Sequence, residues 1–457
     1  MREFAGLDAL NAQPIAAPLA ATIVGNPETT LNGVANGVPW GVVAAIGLGS
    51  DLPQAVQSVQ SAPAVRAVLA AQEQPAEANR SAASGMSLLN VLAGRSAASL
   101  TTFLTGNPTA VRSLLASPPT ATEVGAWWGH LDAGSRSALL DASPLLVGNL
   151  DGIPLESRGM ANQRLLDQSA QAVGARLEST GRGERFGAEQ QLVMFSEVEK
   201  ALEPAASGER RTLLSFDPEG AGTAAIVIGD LAAADYVSVL VPGAFVLVSG
   251  QIVQWTDSAQ ALHDERTAWV DRVWTGAEQP SVATIAWVGY QTPGPFEVTK
   301  LDLAGQGRDA LASVIQGVQA ERVGSEPYLS VIAHSYGSTA SMMALTEYEF
   351  EIDALAVVGS PGGLVSSADD LHVRNGDVYV GDAPWDPVAG VGFFGVDPGS
   401  PQFGAKSFGV SGGRTDPYSG LSLGSSMMHD SYFNPGSESL RNLALISLGL
   451  GDRVTQG

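Results

Sequence analysis

The sequence predicts an α/β fold with a mostly parallel central sheet, preceded by a largely helical N-terminal region. Three observations predict it. Beyond Leu213, short apolar runs alternate with polar stretches of helix length, the pattern of buried parallel strands joined by crossover helices. Before about residue 205 the chain is Ala-rich and its apolar residues recur at helical spacing, as in Leu192, Phe195, Val198 and Leu202. One strand-like run also ends in a sharp turn around Ser335 and continues as a helix. The expected division is therefore residues 1–205 as a helical region and residues 206–457 as a catalytic domain.

Within the helical region, Asn26-Pro27, Asn107-Pro108, Ser117-Pro118-Pro119 and Ser143-Pro144 mark boundaries, because a residue before proline is pushed out of the α conformation. Short helices follow. The apolar stretches Ile15 to Gly25 and Val38 to Gly49 are shorter than the ~20 residues of a membrane span and are expected as buried helices. No transmembrane segment is expected. Trp127-Trp128, beside Leu131 and Leu139, is expected in a core, and Asp151-Gly152-Ile153-Pro154 as a turn at the junction of the two halves.

The apolar runs of the second half are Thr223 to Ile228, Tyr236 to Val241, Val282 to Trp287, Tyr328 to Ala333, Ala354 to Val358 and Asp377 to Val380. Each is expected as a strand. Helices are expected at about 250–271 and 302–319. In such sheets function collects at the carboxyl ends of the strands.

Composition narrows the chemistry. With 47 acidic against 24 basic residues and a net charge of −23, the surface repels polyphosphate, so nucleic acid is excluded as an expected partner. There is no cysteine, which removes disulfides, thiolate metal sites and cysteine nucleophiles together. The start, Met1-Arg2-Glu3-Phe4-Ala5-Gly6, has no apolar run behind it and does not read as a secretory signal. A cytoplasmic location is expected, with secretion or envelope association left open. No His/Asp/Glu cluster has metal-ligand spacing, so neither metal nor cofactor is expected.

The junction at Ser335 carries the chemistry. The run Tyr328 to Ala333 leads through His334-Ser335-Tyr336-Gly337-Ser338 into a helix, the strand, sharp turn and helix context of a nucleophile elbow, where a strained turn lifts a serine Oγ above the sheet at a helix N-terminus. The first glycine of the G-x-S-x-G pattern is replaced by Ala333, the next smallest residue. A serine nucleophile needs a base and an orienting acid. Of five histidines, only His372 and His429 follow Ser335, and His429 leaves room for an acid between, matching the chain order Ser, acid, His. His334 is expected to point elsewhere. The acid is sought in Gly381-Asp382-Ala383-Pro384-Trp385-Asp386-Pro387-Val388, just past a strand end; Asp386 is chosen, with Asp382 in reserve and Asp397 behind it. The oxyanion donors are expected to be the amides of Tyr336 and, in the turn Pro242-Gly243-Ala244-Phe245, of Ala244, with Phe245 the alternative.

These residues resemble the α/β-hydrolase superfamily, and more narrowly a group of actinobacterial α/β-hydrolases defined by a domain once described only as of unknown function. The matching stretches are Leu214 to Pro218, Val239 to Gly243, Val331 to Ser338, Val358 to Gly362 and Tyr432 to Leu440, with Trp127-Trp128, Gly148 to Pro154 and Ala161 to Arg164 upstream. The resemblance implies an α/β-hydrolase fold and a serine hydrolase acting on esters, with Ser335, Asp386 and His429 in the matching places. Departures are Ala333 for glycine, and Met428 and Asp430 where the group more often has glycine and serine beside the histidine. A lipophilic or aromatic ester is the favoured substrate, and the helical region is expected to pack over the strand ends. The same scaffold also admits a lyase, a cofactor-free peroxidase or an amidase, and the chain admits a non-catalytic, envelope-associated binding role. The Gly-, Ser- and Phe-rich segment Gly390 to Ser426 reads equally as a mobile wall over the site or as a packed surface loop.

Overall fold

Six of the apolar runs become strands of one sheet, in a computed structural model that describes residues 85–177, 181–206, 208–276 and 278–457. The stretches Ile15 to Gly25 and Val38 to Gly49 and the break at Asn26-Pro27 lie outside the described residues. The sheet holds β1 (Arg211–Asp217), β2 (Thr223–Ile228), β3 (Tyr236–Val241), β4 (Val282–Val288), β5 (Tyr328–His334), β6 (Ala354–Val358), β7 (Val378–Gly381) and β8 (Lys406–Ser407). Their order is β1-β2-β4-β3-β5-β6-β7-β8. Pairs β1·β2 and β2·β4 are antiparallel, and the others are parallel.

Two strands were not legible in the sequence. β1 is an edge strand whose register slips between Leu213 and Ser215, so its alternation is broken; β8 is two exposed residues. The central strands β3 and β5 are buried beyond their first residues on both faces, which is why they read as continuous apolar runs. Their one polar pair is matched in register, Ser238 against Ser330, with the hydroxyls 2.7 Å apart.

Helices cover the sheet. In the first half, α1 (Ala97–Gly106), α2 (Pro108–Ala116), α3 (Ala121–His130), α4 (Ala133–Ala142) and α5 (Pro144–Asn149) break at the proline signals, and α6 (Leu155–Leu177) and α7 (Arg182–Ala201) follow. Trp127 and Trp128 are buried, and the Trp127 indole N–H donates to the Leu89 carbonyl. Asp151 pairs with Arg158 across the turn before α6. Asn162 of α6 donates to the carbonyls of Gly148 and Leu214, and Asn149 to that of Phe216. These bonds moor the helices to β1. In the second half, α8 (Val248–Val273) and α9 (Asp302–Glu321) extend the expected spans by about a turn at most, and α10 (Tyr336–Glu347) starts directly after Ser335. No described helix is long and apolar enough to cross a membrane.

Parts of the segment from Gly390 to Ser426 are packed, while much of 411–425 is exposed. Phe394 and Phe403 are buried in the core, with Phe394 edge-on to Tyr336 at 5.7 Å. Further on, Asp416 meets Arg441 of α11 (Glu438–Ile446) at 2.8 Å, both side chains being almost wholly buried. Arg441 also donates to the Arg453 carbonyl and lies over Trp269 and Tyr418. Glu438, fully buried, accepts from the Gly412 amide and the Thr455 hydroxyl. Arg441→Leu leaves Asp416 charged and unpaired in the interior, and a loss of about 3–5 kcal/mol in chemical denaturation is expected. A loss below about 1 kcal/mol would show the pair to be solvated in solution.

Candidate active site

Chain direction on the sheet fixes where a site can form. From β3 the chain steps to β4 on one side and, after that, to β5 on the other, so the loops leaving β3 and β5 diverge and leave a crevice at their carboxyl ends. Ser335 follows β5 and Pro242-Gly243 follows β3. They touch: a Cβ placed on Gly243 would lie 2.6 Å from the Ser335 Cβ. Glycine is required there by contact. Likewise a Cβ on Gly337 would fall 2.3 Å from the Pro242 carbonyl oxygen, so the elbow closes only with glycine two places after the serine.

Ser335 has φ 52° and ψ −130°, a conformation that non-glycine residues rarely adopt and that concentrates at functional sites. It is held by its own amide, which donates to the Val358 carbonyl at 3.0 Å, and by α10, whose residues from Tyr336 to Leu345 are all buried. The amide of Tyr336, in the first turn of α10, has no acceptor within the helix. Across the crevice, the Phe245 amide donates to the Pro293 carbonyl at 3.1 Å. That bond engages the Phe245 amide within the fold.

The structure brings Ser335, His429 and Asp386 together. His429 Nε2 lies 2.8 Å from Ser335 Oγ, and its Nδ1 lies 2.9 and 3.0 Å from the two oxygens of Asp386. All three are buried. Asp386 Oδ2 also accepts the Tyr432 hydroxyl at 2.6 Å, and Oδ1 accepts the Val388 amide at 2.9 Å. Burial by itself pushes the Asp386 carboxyl up, but the hydrogen bond and charge of His429, joined by Tyr432 and Val388, outweigh it and hold the group at about 2. The carboxylate therefore stays ionised beside the imidazole. Gly359, with φ 57°, lies under the pair, where a Cβ would come 2.8 Å from Asp386 Oδ2 and 3.1 Å from the His429 ring.

Three residues around this chain were missed or misread in the sequence. His334 does not point away from the site: its ring packs against that of His429 with centroids 4.6 Å apart, and its Nε2 donates to the His429 carbonyl at 2.8 Å. Burial and the adjacent His429 push its pKa down to about 3, so it remains a neutral prop. Tyr432, three residues after His429, accepts from the Ala383 amide while donating to Asp386, and so ties the acid loop to the histidine loop. Gly359 showed only as part of a matching motif. In each case the partner is distant in the chain, and no local periodicity signals it.

The reserve acid, Asp382, sits elsewhere. A Cβ on Gly399 would meet Asp382 Oδ2 at 2.4 Å and Asp397 Oδ1 at 3.4 Å, which places the two carboxyls in one small space. Burial, then Asp397, then Asp386 raise the Asp382 carboxyl from 3.8 to about 7. A carboxyl raised on folding favours the folded state below its unfolded value and loses that contribution as pH rises through its folded value. Asp382→Asn is thus expected to raise stability at pH 8 by at least about 1 kcal/mol and to change it little at pH 4. Thermal melts at the two pH values check this; a stabilisation larger at pH 4 reverses the sign.

Residues 217–396 match the model of a family described as alpha/beta hydrolase. An uncharacterized protein of Mycobacterium tuberculosis is 28% identical over 387 residues, covering 74% of this chain and 57% of that protein, so the chain spans little more than half the length of that relative. An uncharacterized protein of Mycobacterium bovis is 27% identical over 183 residues, 38% of this chain and 67% of its own. Among solved structures, carboxyl esterase 2 of the fungus Tuber melanosporum aligns with a TM-score of 0.31 and 10% identity, over 55% of this chain and 90% of its own. A thermostable esterase of Pseudomonas putida aligns at 0.29 and 11%, over 64% and 98%. By its sheet and its elbow, and with residues 217–396 similar to the alpha/beta hydrolase family, the chain has an α/β-hydrolase fold.

Proposed function

We propose that the protein is a serine hydrolase of carboxylic esters, with an apolar or aromatic ester favoured. The observation that carries the reading is the continuous hydrogen-bonded line from Ser335 Oγ through the His429 ring to Asp386, set on a strained turn at a helix N-terminus. His429 takes the Ser335 proton on Nε2 as Oγ attacks the ester carbonyl. Asp386 holds the Nδ1–H tautomer and offsets the charge that forms on the ring. The oxyanion is received by the amides of Tyr336 and Ala244, two fixed dipoles that need no reorganisation as charge develops. Collapse of the tetrahedral adduct expels the alcohol, which leaves with the proton from His429. Water, activated by the same imidazole, then attacks the acyl-enzyme and regenerates Ser335.

Support for an apolar substrate comes from the surroundings. Phe245, Phe393 and Phe394 pack on the core cluster that includes Tyr336 and Ala244. The testing experiment is reaction with a fluorophosphonate followed by peptide mapping. A single adduct on Ser335, absent from Ser335→Ala, is the expected result. A folded protein that acquires no adduct would rule out an acyl-enzyme and point to another reaction on this scaffold.

A further inference from the structure

Four non-glycine residues among those described have positive φ: Phe245, Ser335, Asn375 and Trp385. Three have an account. Ser335 is the elbow, Asn tolerates the left-handed region, and Phe245 packs against the core beside Ala244. Trp385 has none of these. The Asp386 amide donates to the Ala383 carbonyl at 3.1 Å, so Ala383-Pro384-Trp385-Asp386 is a β-turn with proline second and Trp385, at φ 66°, third. That third position calls for glycine or asparagine, because a side chain there is crowded by its own backbone. The largest side chain occupies it instead. Nor is the indole paid back by burial, since it is 79% exposed.

Its place in the chain is the second observation. Trp385 immediately precedes Asp386, and Met428, 47% exposed, immediately precedes His429; Met427, at 43%, comes before that. Each end of the His429–Asp386 hydrogen bond therefore has an exposed apolar neighbour. Thioethers and an indole are adaptable, weakly directional surfaces suited to an apolar group of variable shape. We infer that Trp385 is a specificity-determining residue, forming with Met427 and Met428 an apolar rim for the hydrophobic part of the ester. The inference rests on the hydrolase reading above. It adds which residues choose the substrate, and gives the strained turn a purpose: a glycine would relax the backbone and lose the contact.

The test compares the wild type with Trp385→Gly and Trp385→Asn on p-nitrophenyl acetate and p-nitrophenyl decanoate, with thermal melts of all three proteins. Both variants are expected to melt at or above the wild-type temperature, because the turn is relieved. The decanoate-to-acetate ratio of kcat/KM should fall by about tenfold or more, through a rise in KM for decanoate. The acid limb of the pH profile on acetate should not move, which separates a rim contact from a disturbance of Asp386. An unchanged ratio, a displaced acid limb or a lower melting temperature would each overturn the role of Trp385 and leave the hydrolase reading standing. A wild type that hydrolyses neither ester overturns both.

Discussion

Ser335→Ala is expected to reduce ester turnover on the order of 10^4- to 10^6-fold, the range over which a nucleophile acts when its partners remain in place. The melting temperature should change little. The substitution removes one oxygen, and the elbow keeps the bond from the residue 335 amide to Val358 and the packing of α10. Burial of the His429 ring is untouched, and His334 still holds its carbonyl. The measurement is turnover of p-nitrophenyl butyrate beside a thermal melt. Activity retained within about tenfold in a folded variant would remove Ser335 from the mechanism, since background catalysis by binding and oxyanion donors alone is far weaker than that.

Asp386→Asn is the second large effect, expected near 10^4-fold in kcat, because an amide in place of the carboxylate favours the wrong imidazole tautomer and no longer offsets its charge. The variant also costs stability. Four donors converge on Asp386, from His429, Tyr432, Val388 and Ala389, and an amide nitrogen turned toward any of them leaves a buried group without its partner, at about 1–3 kcal/mol. Assay and denaturation should therefore be measured on the same preparation. Asp382→Asn is the matched control: it lies four residues earlier and shares its space with Asp397. Its kcat should stay within about threefold of wild type if Asp386 is the carboxylate that orients His429. The reverse pattern, with Asp382→Asn inactive and Asp386→Asn active, would exchange the two assignments.

Much of the fold was legible because it is written in local composition. Strands β3 and β5 are buried on both faces, so they appear as unbroken apolar runs, and the Asn-Pro and Ser-Pro steps stop helices for a steric reason that needs no tertiary context. The elbow was legible for the same cause, since its turn is built from residues adjacent in the chain, with small Ala333 and Gly337 on either side of Ser335. β1 escaped because its register slip breaks alternation, and β8 because two exposed residues leave no apolar signal.

The sequence by itself determined the strand–turn–helix at Ser335, the scarcity of histidines that singled out His429, and the chain order of the candidates Ser335, Asp386 and His429. Tertiary structure alone decided the rest: that His334 braces His429 across 95 residues, that Tyr432 ties down Asp386 across 46, and that Gly243 and Gly359 must lack side chains because Ser335, and Asp386 with His429, pass within contact of them. The physical reason is range. Propensity and periodicity report on forces between residues a few places apart, whereas these contacts exist only once the loops at the carboxyl ends of β3, β5, β6 and β7 have been brought to one edge of the sheet.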